Sequence, residues 1–125
     1  MADTLIIEDD LWIRQFLAHS LRHAGHTVRE ADNGRSGLAE FRQLRPALVI
    51  CDILMPDIER IETIRALHRE DPAIPVIAIS GGDRAHLKLA AKLGATVTLE
   101  KPFLPEALLA LVDGLLAGSH VATTP

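Results

Sequence analysis

Cysteine and aromatic residues are scarce in this sequence. Its 125 residues include one cysteine, one tryptophan, three phenylalanines and no tyrosine. The single cysteine, Cys51, excludes an internal disulfide bond, and this usage is typical of proteins in the reducing cytoplasm. Aromatic residues make up 3% of the chain, whereas hydrophobic residues make up 48%. We therefore expect a cytoplasmic protein whose core is built from aliphatic side chains.

Long apolar runs and an excess of basic residues are also missing. The first residues, Met1 to Thr4, lack the basic and then apolar layout of a signal peptide. No apolar run approaches the roughly 20 residues of a membrane-spanning helix. Lys and Arg number 13 against 17 Asp and Glu, and no basic patch stands out. We expect one domain that binds neither a membrane nor nucleic acid directly.

Two kinds of segment alternate along the chain. Apolar, β-rich segments predict strands at residues 5–7, 27–31, 47–51, 76–79 and 96–99. Apolar residues spaced by three and four predict helices at residues 13–24, 38–44, 61–67, 87–93 and 104–115. Gly25 and Gly94 are expected to follow two helix ends, and Asp32-Asn33-Gly34 is a turn signal. The alternation favours an α/β fold, an open doubly wound parallel sheet with helices on both faces.

Polar side chains follow four of the five predicted strands. Glu8 and Asp9 follow the first strand, Asp52 the third, Ser80 the fourth and Lys101 the fifth. Doubly wound sheets bind their ligands at the carboxyl ends of the strands, so these side chains are expected to share one edge. That edge then collects carboxylates, a hydroxyl group and an ammonium group.

This set of groups is suited to phosphoryl transfer. Crowded carboxylates raise each other's pKa, and a divalent cation held by Glu8, Asp9 and Asp52 would remove the conflict. Oxygen-only ligands favour a hard ion, and Mg2+ is the expected one. Asp52 is the candidate nucleophile. Lys101 can neutralise one phosphoryl oxygen, and Ser80 can donate a hydrogen bond to another.

Four short motifs at these strand ends resemble those of the receiver family of response regulators, which includes chemotaxis-type single-domain receivers. The motifs are Ile7-Glu8-Asp9, Cys51-Asp52-Ile53-Leu54-Met55-Pro56, Ile79-Ser80-Gly81 and Glu100-Lys101-Pro102-Phe103. The resemblance implies a (βα)5 flavodoxin-like fold, with the five parallel strands in the order 2-1-3-4-5. It also leads us to expect a receiver domain at residues 1–117 and a flexible tail at residues 118–125.

The resemblance implies a phosphorylation-activated signalling switch of a two-component phosphorelay system. Asp52 would accept a phosphoryl group from a sensor histidine kinase or a phosphotransfer protein. Leu54 would add its backbone carbonyl to the Mg2+ ligands. An output protein would bind the face made by the fourth helix, the fifth strand and the fifth helix.

Two positions depart from the family pattern. Arg60 stands near the place where the family usually has a glycine before the third helix. Thr98 occupies the place of the switch residue on the fifth strand, which is usually Tyr or Phe. These departures affect the loop after Asp52 and the usual movement of the switch aromatic, but no group that the chemistry needs is lost.

Two other functions remain to be weighed against a switch that catalyses only its own phosphorylation and dephosphorylation. A magnesium-dependent aspartyl-phosphate phosphohydrolase usually has a second Asp two residues after the nucleophile, as general acid. Leu54 stands at that place and cannot transfer protons. A phosphate-independent interaction module usually lacks the acceptor Asp or the Lys, and both are present here.

Several residues outside the motifs have a plain and a functional interpretation. Cys51 is expected to be a buried strand residue rather than a reactive thiol. His19, His23 and His26 could hold a metal ion, but a solvated face shared with Gln15 and Arg22 is the preferred interpretation. Trp12 is either half-buried in the core or an exposed contact beside the acidic pocket. A partner surface on the last helix is expected from three residues beside its main apolar stripe, namely Leu109, Val112 and Leu116.

Overall fold

The computed structural model describes residues 3–53, 58–80 and 84–117, and only the backbone of residues 58–60, 80, 84, 86, 87 and 90. The strands are β1 (Asp3–Ile7), β2 (Thr27–Ala31), β3 (Leu48–Asp52), β4 (Val76–Ser80) and β5 (Val97–Glu100). The helices are α1 (Leu11–His23), α2 (Gly34–Gln43), α3 (Ile58–Glu70), α4 (Arg84–Leu93) and α5 (Pro105–Leu116). Each predicted element is present, and the differences lie at the element ends.

The five strands form one parallel sheet in the order β2-β1-β3-β4-β5, as the resemblance implies. The three central strands are aligned so that Ile6 of β1 lies opposite Ile50 of β3, and Cys51 of β3 lies opposite Ala78 of β4. All five residues of β3 are buried, because helices cover the sheet from both sides. The carboxyl ends of the strands therefore meet at one edge.

Two apolar clusters fill the space between the sheet and the helices. One cluster lies under α2, α3 and α4 and includes Phe41, Ile64 and Leu93. The other lies under α1 and α5 and includes Leu17 and Leu108. Phe41 is the one aromatic side chain among the buried core residues of the described chain, so the expectation of an aliphatic core is confirmed. None of the described helices is long and apolar enough to cross a membrane.

The turn signal at Asp32-Asn33-Gly34 is the start of a helix. Gly34 is the first residue of α2, and Asn33 is its N-cap, with its side-chain oxygen accepting a hydrogen bond from the Ser36 N–H at 2.8 Å. Asn is a preferred N-cap because its oxygen satisfies an N–H group of the first helical turn. The helix therefore begins four residues earlier than predicted.

The last helix needs two corrections. Leu104 was predicted inside this helix, but it is the N-cap residue before Pro105 and is 69% exposed. Proline favours the first position of a helix, which places the start after Leu104. Val112 was predicted to belong to a partner surface, but it is fully buried in the core. Leu109 and Leu116 are partly buried and pack against the same core, because α5 buries a wider face than a single stripe.

Candidate functional site

The predicted site residues come from neighbouring strand ends. Glu8 and Asp9 follow β1, Asp52 ends β3, and Lys101 follows β5. The register places Asp52 opposite Ile79, one residue before the end of β4. This edge of the sheet brings the ammonium nitrogen of Lys101 to 3.3 Å from Oδ2 of Asp52. A residue that is distant in sequence thus forms an ion pair with the central carboxylate.

The acidic residues differ in their exposure. Glu8 is 2% exposed and Asp52 is 3% exposed, whereas Asp9 is exposed. The pKa of Glu8 is raised to about 9, first by burial and second by the hydrogen bond with the side chain of Asp52. Repulsion among the carboxylates was the expected cause, and burial is the larger one. Glu8 therefore holds a proton at neutral pH when no cation is bound.

Oxygen atoms are the donors that this pocket offers to the expected metal ion. The hydrogen bonds of Glu8 link its side chain to those of Asp52 and Asp9, so three carboxylates lie together. In residues 3–53, 58–80 and 84–117, no group of three or more His, Cys, Asp or Glu side chains is placed to hold a metal ion. The carboxylates are instead joined through hydrogen bonds. Oxygen donors of this kind suit Mg2+, which takes one or two carboxylates and keeps several waters.

Three predicted site groups are described less fully or not at all. Ser80 is the last residue of β4, but its side chain is not described. Leu54, whose carbonyl was expected to bind the metal, lies outside the described residues. The same holds for the side chain of Arg60, which stands in place of the family glycine. The assignment of these groups remains a prediction.

Two residues that support the site were missed at the sequence level. Asp10 is the N-cap of α1, and its side chain accepts a hydrogen bond from the Ile13 N–H at 3.1 Å. An Asp before an apolar helical pattern is a signal for this role. Arg14 donates to the backbone carbonyl of Glu8 at 2.9 Å. No sequence signal indicates that contact, because it depends on how α1 lies against β1.

The open question about Trp12 is decided in favour of exposure. Its side chain is 80% exposed, and Phe16, one helical turn later, is 42% exposed. Both line an apolar hollow beside the carboxylates, together with Ile13, Lys101, Pro102 and Phe103. The rings of Phe16 and Phe103 lie 6.1 Å apart. An apolar surface therefore adjoins the ammonium group that reaches Asp52.

The remaining sequence interpretations have mixed outcomes. Cys51 is buried, as expected. His19 and His23 are exposed, and their rings stack 6.1 Å apart on the solvated face of α1. The prediction for His26 is wrong, because this residue is 8% exposed and its Nε2 lies 3.6 Å from Oδ1 of Asp113. It follows α1 at the bend into β2, where the chain turns back under α5.

Comparison with known proteins agrees with these observations. Residues 4–113 match the family model of the response regulator receiver domain. The chain is 37% identical over 121 residues to protein PilH of Pseudomonas aeruginosa, covering 94% of this chain and 100% of PilH. The solved structure of the chemotaxis protein CheY4 of Vibrio cholerae matches with a TM-score of 0.84 and 30% identity, over 92% of this chain and 98% of that chain.

Other relatives are considerably longer than this chain. The KDP operon transcriptional regulatory protein KdpE of Escherichia coli is 41% identical over 104 residues, which are 82% of this chain and 46% of KdpE. The chain therefore spans about half the length of some relatives it matches and the whole length of others.

Proposed function

The chain belongs to the response regulator receiver family of two-component systems, and from this premise we propose that it is a switch phosphorylated on Asp52. The phosphoryl group would come from a sensor histidine kinase or a phosphotransfer protein, the partners that response regulators have in general. The observation that carries the proposal is the buried Asp52 carboxylate with the Lys101 ammonium nitrogen at 3.3 Å. A cationic group beside a strand-end carboxylate is suited to an incoming phosphoryl group.

The proposed reaction forms a bond between a carboxylate oxygen of Asp52 and the phosphorus atom, while the bond from phosphorus to the donor breaks. Lys101 balances negative charge on the phosphoryl oxygens, and Ser80 would donate a hydrogen bond to one of them. Receiver domains generally bind Mg2+. Here Glu8, Asp9, Asp52 and the carbonyl of Leu54 would hold it, and the bound ion would supply positive charge to the phosphoryl oxygens.

Protonation of Glu8 fits this proposal. Burial and the neighbouring Asp52 raise the pKa of Glu8 to about 9, so in the metal-free protein Glu8 keeps a proton that lowers the negative charge of the pocket. Binding a divalent cation would release that proton, because a ligand carboxylate must be ionised. The pocket thus alternates between a proton and a metal ion as the balancing charge.

A phosphohydrolase is the less favoured function. Phosphohydrolases of this kind usually have an Asp two residues after the nucleophile as general acid. Leu54 stands at that position here, and leucine cannot transfer a proton. We therefore propose that the chain is not a turnover enzyme and catalyses only its own phosphorylation and dephosphorylation.

Two surfaces are proposed for partners. The donor protein must reach a nearly buried Asp52, and the exposed Trp12 and Phe16 next to Lys101 offer it an apolar contact. The output protein is proposed to bind the α4-β5-α5 face, because β5 leads directly into Lys101. Thr98, in place of the usual aromatic, lies on this strand and is half-buried.

We further propose a cytoplasmic location, a receiver domain over residues 1–117, and no direct binding to nucleic acid.

A stoichiometry measurement separates the switch from the phosphohydrolase. With acetyl phosphate and Mg2+, phosphoryl uptake should level off at one group per chain. With p-nitrophenyl phosphate, the chain should not release phosphate over many turnovers. Sustained release of phosphate from p-nitrophenyl phosphate that is lost in Asp52→Asn would contradict the proposal and favour the enzyme. Wild type that takes up no phosphoryl group from either donor would contradict both.

A further inference from the structure

The turn between β1 and α1 carries Glu8 and Asp9, and backbone and side-chain hydrogen bonds fix it. The N–H of Glu8 donates to the carbonyl of Ala31 at 2.9 Å, which extends the pairing of β1 with β2. Oε2 of Glu8 accepts the N–H of Asp10 at 2.8 Å. Asp10 in turn caps α1 through its bond with Ile13. The direction of both acidic side chains therefore depends on the geometry of this turn.

Arg14 makes a further contact with the turn. Its Nη1 donates to the backbone carbonyl of Glu8 at 2.9 Å. That carbonyl lies one residue beyond the last pair of the β1–β2 ladder, Ile7 and Ala31. The guanidinium group thus supplies a donor where the strand pairing has ended. The backbone N–H of Arg14 bonds separately to the Asp10 carbonyl at 2.9 Å, so helix initiation does not require the side chain.

Glu30 on β2 holds the guanidinium group of Arg14 from the other side. The Nε of Arg14 lies 3.2 Å from Oε1 of Glu30, and the side chain of Arg14 is 17% exposed. Two different nitrogens of one rigid, planar group are therefore engaged by two acceptors, which fixes its orientation. A lysine has a single ammonium group on a flexible stem and cannot reproduce this fork.

We propose that Arg14 is a positioning residue for the metal-binding acids of this site, with Glu30 as its anchor. By holding the carbonyl of Glu8, it orients the turn so that Glu8 and Asp9 face Asp52. Arg14 touches neither the carboxylate of Asp52 nor a phosphoryl group, and it acts through the turn alone. The inference rests on the proposed function, because the acids matter here as Mg2+ ligands. Residues that orient metal ligands are typically worth 10-fold to 100-fold in affinity, roughly.

The test replaces Arg14 with methionine, which keeps an unbranched stem and removes the donors. Mg2+ affinity is measured by calorimetric titration, and exchange of the Asp10 amide hydrogen is measured in the metal-free protein. We expect Arg14→Met to bind Mg2+ about 10-fold or more weakly and to exchange the Asp10 amide faster than wild type. Arg14→Lys should recover part of both losses. Mg2+ affinity within twofold of wild type, with unchanged Asp10 exchange, would overturn the proposal.

The chain offers a matched control on the same helix. Arg22 pairs with the same Glu30 through Nη1 at 3.2 Å and donates to the Val28 carbonyl at 3.1 Å, so these contacts lie at β2 and not at the turn. Arg22→Met should therefore keep the Mg2+ affinity of wild type, and Glu30→Gln should lose part of it. An Arg22→Met loss as large as that of Arg14→Met would mean that the effect is general to the helix and would overturn the proposal.

Two further comparisons apply if Arg14→Met does not fold or if wild type binds no Mg2+. If Arg14→Met does not fold, the milder Arg14→Lys and Glu30→Gln variants carry the test, and wild-type affinity in both would overturn the role of Arg14. If wild type itself binds no Mg2+, the proposed function fails. Asp10 exchange in the metal-free variants then still decides whether Arg14 holds the turn.

Discussion

Glu8 is the residue whose ionisation differs most clearly from that of a free side chain. It is nearly buried, and burial together with Asp52 raises its pKa from the ordinary value of 4.5 to about 9. Between these two pH values the folded chain retains a proton that the unfolded chain has lost. Stability then falls as pH rises, because the native state binds more protons than the unfolded state.

The first prediction follows from this difference. Without Mg2+, the free energy of unfolding of wild type should fall between pH 5 and pH 9, relative to Glu8→Gln, by at most about 1.4 kcal/mol per pH unit. Glu8→Gln is the control because it keeps the shape and removes the titration. Urea unfolding at several pH values measures the difference. Parallel profiles for the two proteins would contradict a raised pKa at Glu8.

Lys101 supports a second prediction at this scale. Its ammonium group is the described cation next to Asp52, at 3.3 Å. Lys101→Ala should still accept a phosphoryl group from acetyl phosphate, but it should lose most of the spectral change at the α4-β5-α5 face, because the counter-charge that draws β5 towards the phosphoryl group is gone. Backbone amide NMR spectra before and after phosphorylation report the change.

The control for this prediction is Lys92→Ala, since Lys92 is an exposed residue in the last turn of α4. It should respond to phosphorylation like wild type. A full response in Lys101→Ala would show that the ammonium group does not couple the pocket to β5.

At the scale of the elements, the sequence predicted most where one physical rule dominates. The continuous apolar run of β3 predicts a strand buried on both faces, and all five of its residues are buried. The φ values of 98° at Gly25 and 106° at Gly94 confirm two predicted helix ends. Because ligands bind at the carboxyl ends of parallel strands, the sequence also predicted that Glu8, Asp9, Asp52 and Lys101 share one edge, and this prediction did not require the strand order.

The sequence predicted least where the outcome depends on packing between elements. Val112 is buried in the apolar cluster that α1 and α5 share, and His26 lies against Asp113 of α5. Periodicity within one helix does not contain that information. The contact from Arg14 to Glu8 likewise depends on the position of α1 against β1. The sequence therefore predicted which side chains form the site, but it did not predict the contacts that hold them in place.

The end of α4 gives a third prediction. Gly94 has a left-handed φ of 106°, and an added Cβ would lie 2.6 Å from Nδ1 of His68 on α3. Gly94→Ala should therefore destabilise the protein by about 2 kcal/mol, through backbone strain and a collision between two helices. Urea unfolding measures the loss. In a His68→Ala background the cost of Gly94→Ala should shrink, because the collision with the imidazole ring is removed, whereas the 2.8 Å approach to the Cβ of residue 68 and the backbone strain remain. An equal cost in both backgrounds would contradict the contact.

At the scale of the whole molecule, the proposed phosphorylation site lies at one edge of the sheet, and the two proposed partner surfaces lie beside it. The apolar hollow of Trp12 and Phe16 adjoins Lys101. The strand β5 ends directly before Lys101 and belongs to the α4-β5-α5 face. The matched relatives include proteins of this length and proteins of about twice the length. The proposed phosphorylation of Asp52 would change the charge of this site, which adjoins both surfaces.

The account depends most on Asp52 as the phosphoryl acceptor, and intact-mass spectrometry tests this directly. Wild type incubated with acetyl phosphate and Mg2+ should gain the mass of one phosphoryl group. Asp52→Asn removes the nucleophile while preserving the shape of the side chain, and it should show no adduct under the same conditions. A full adduct on Asp52→Asn would contradict the account.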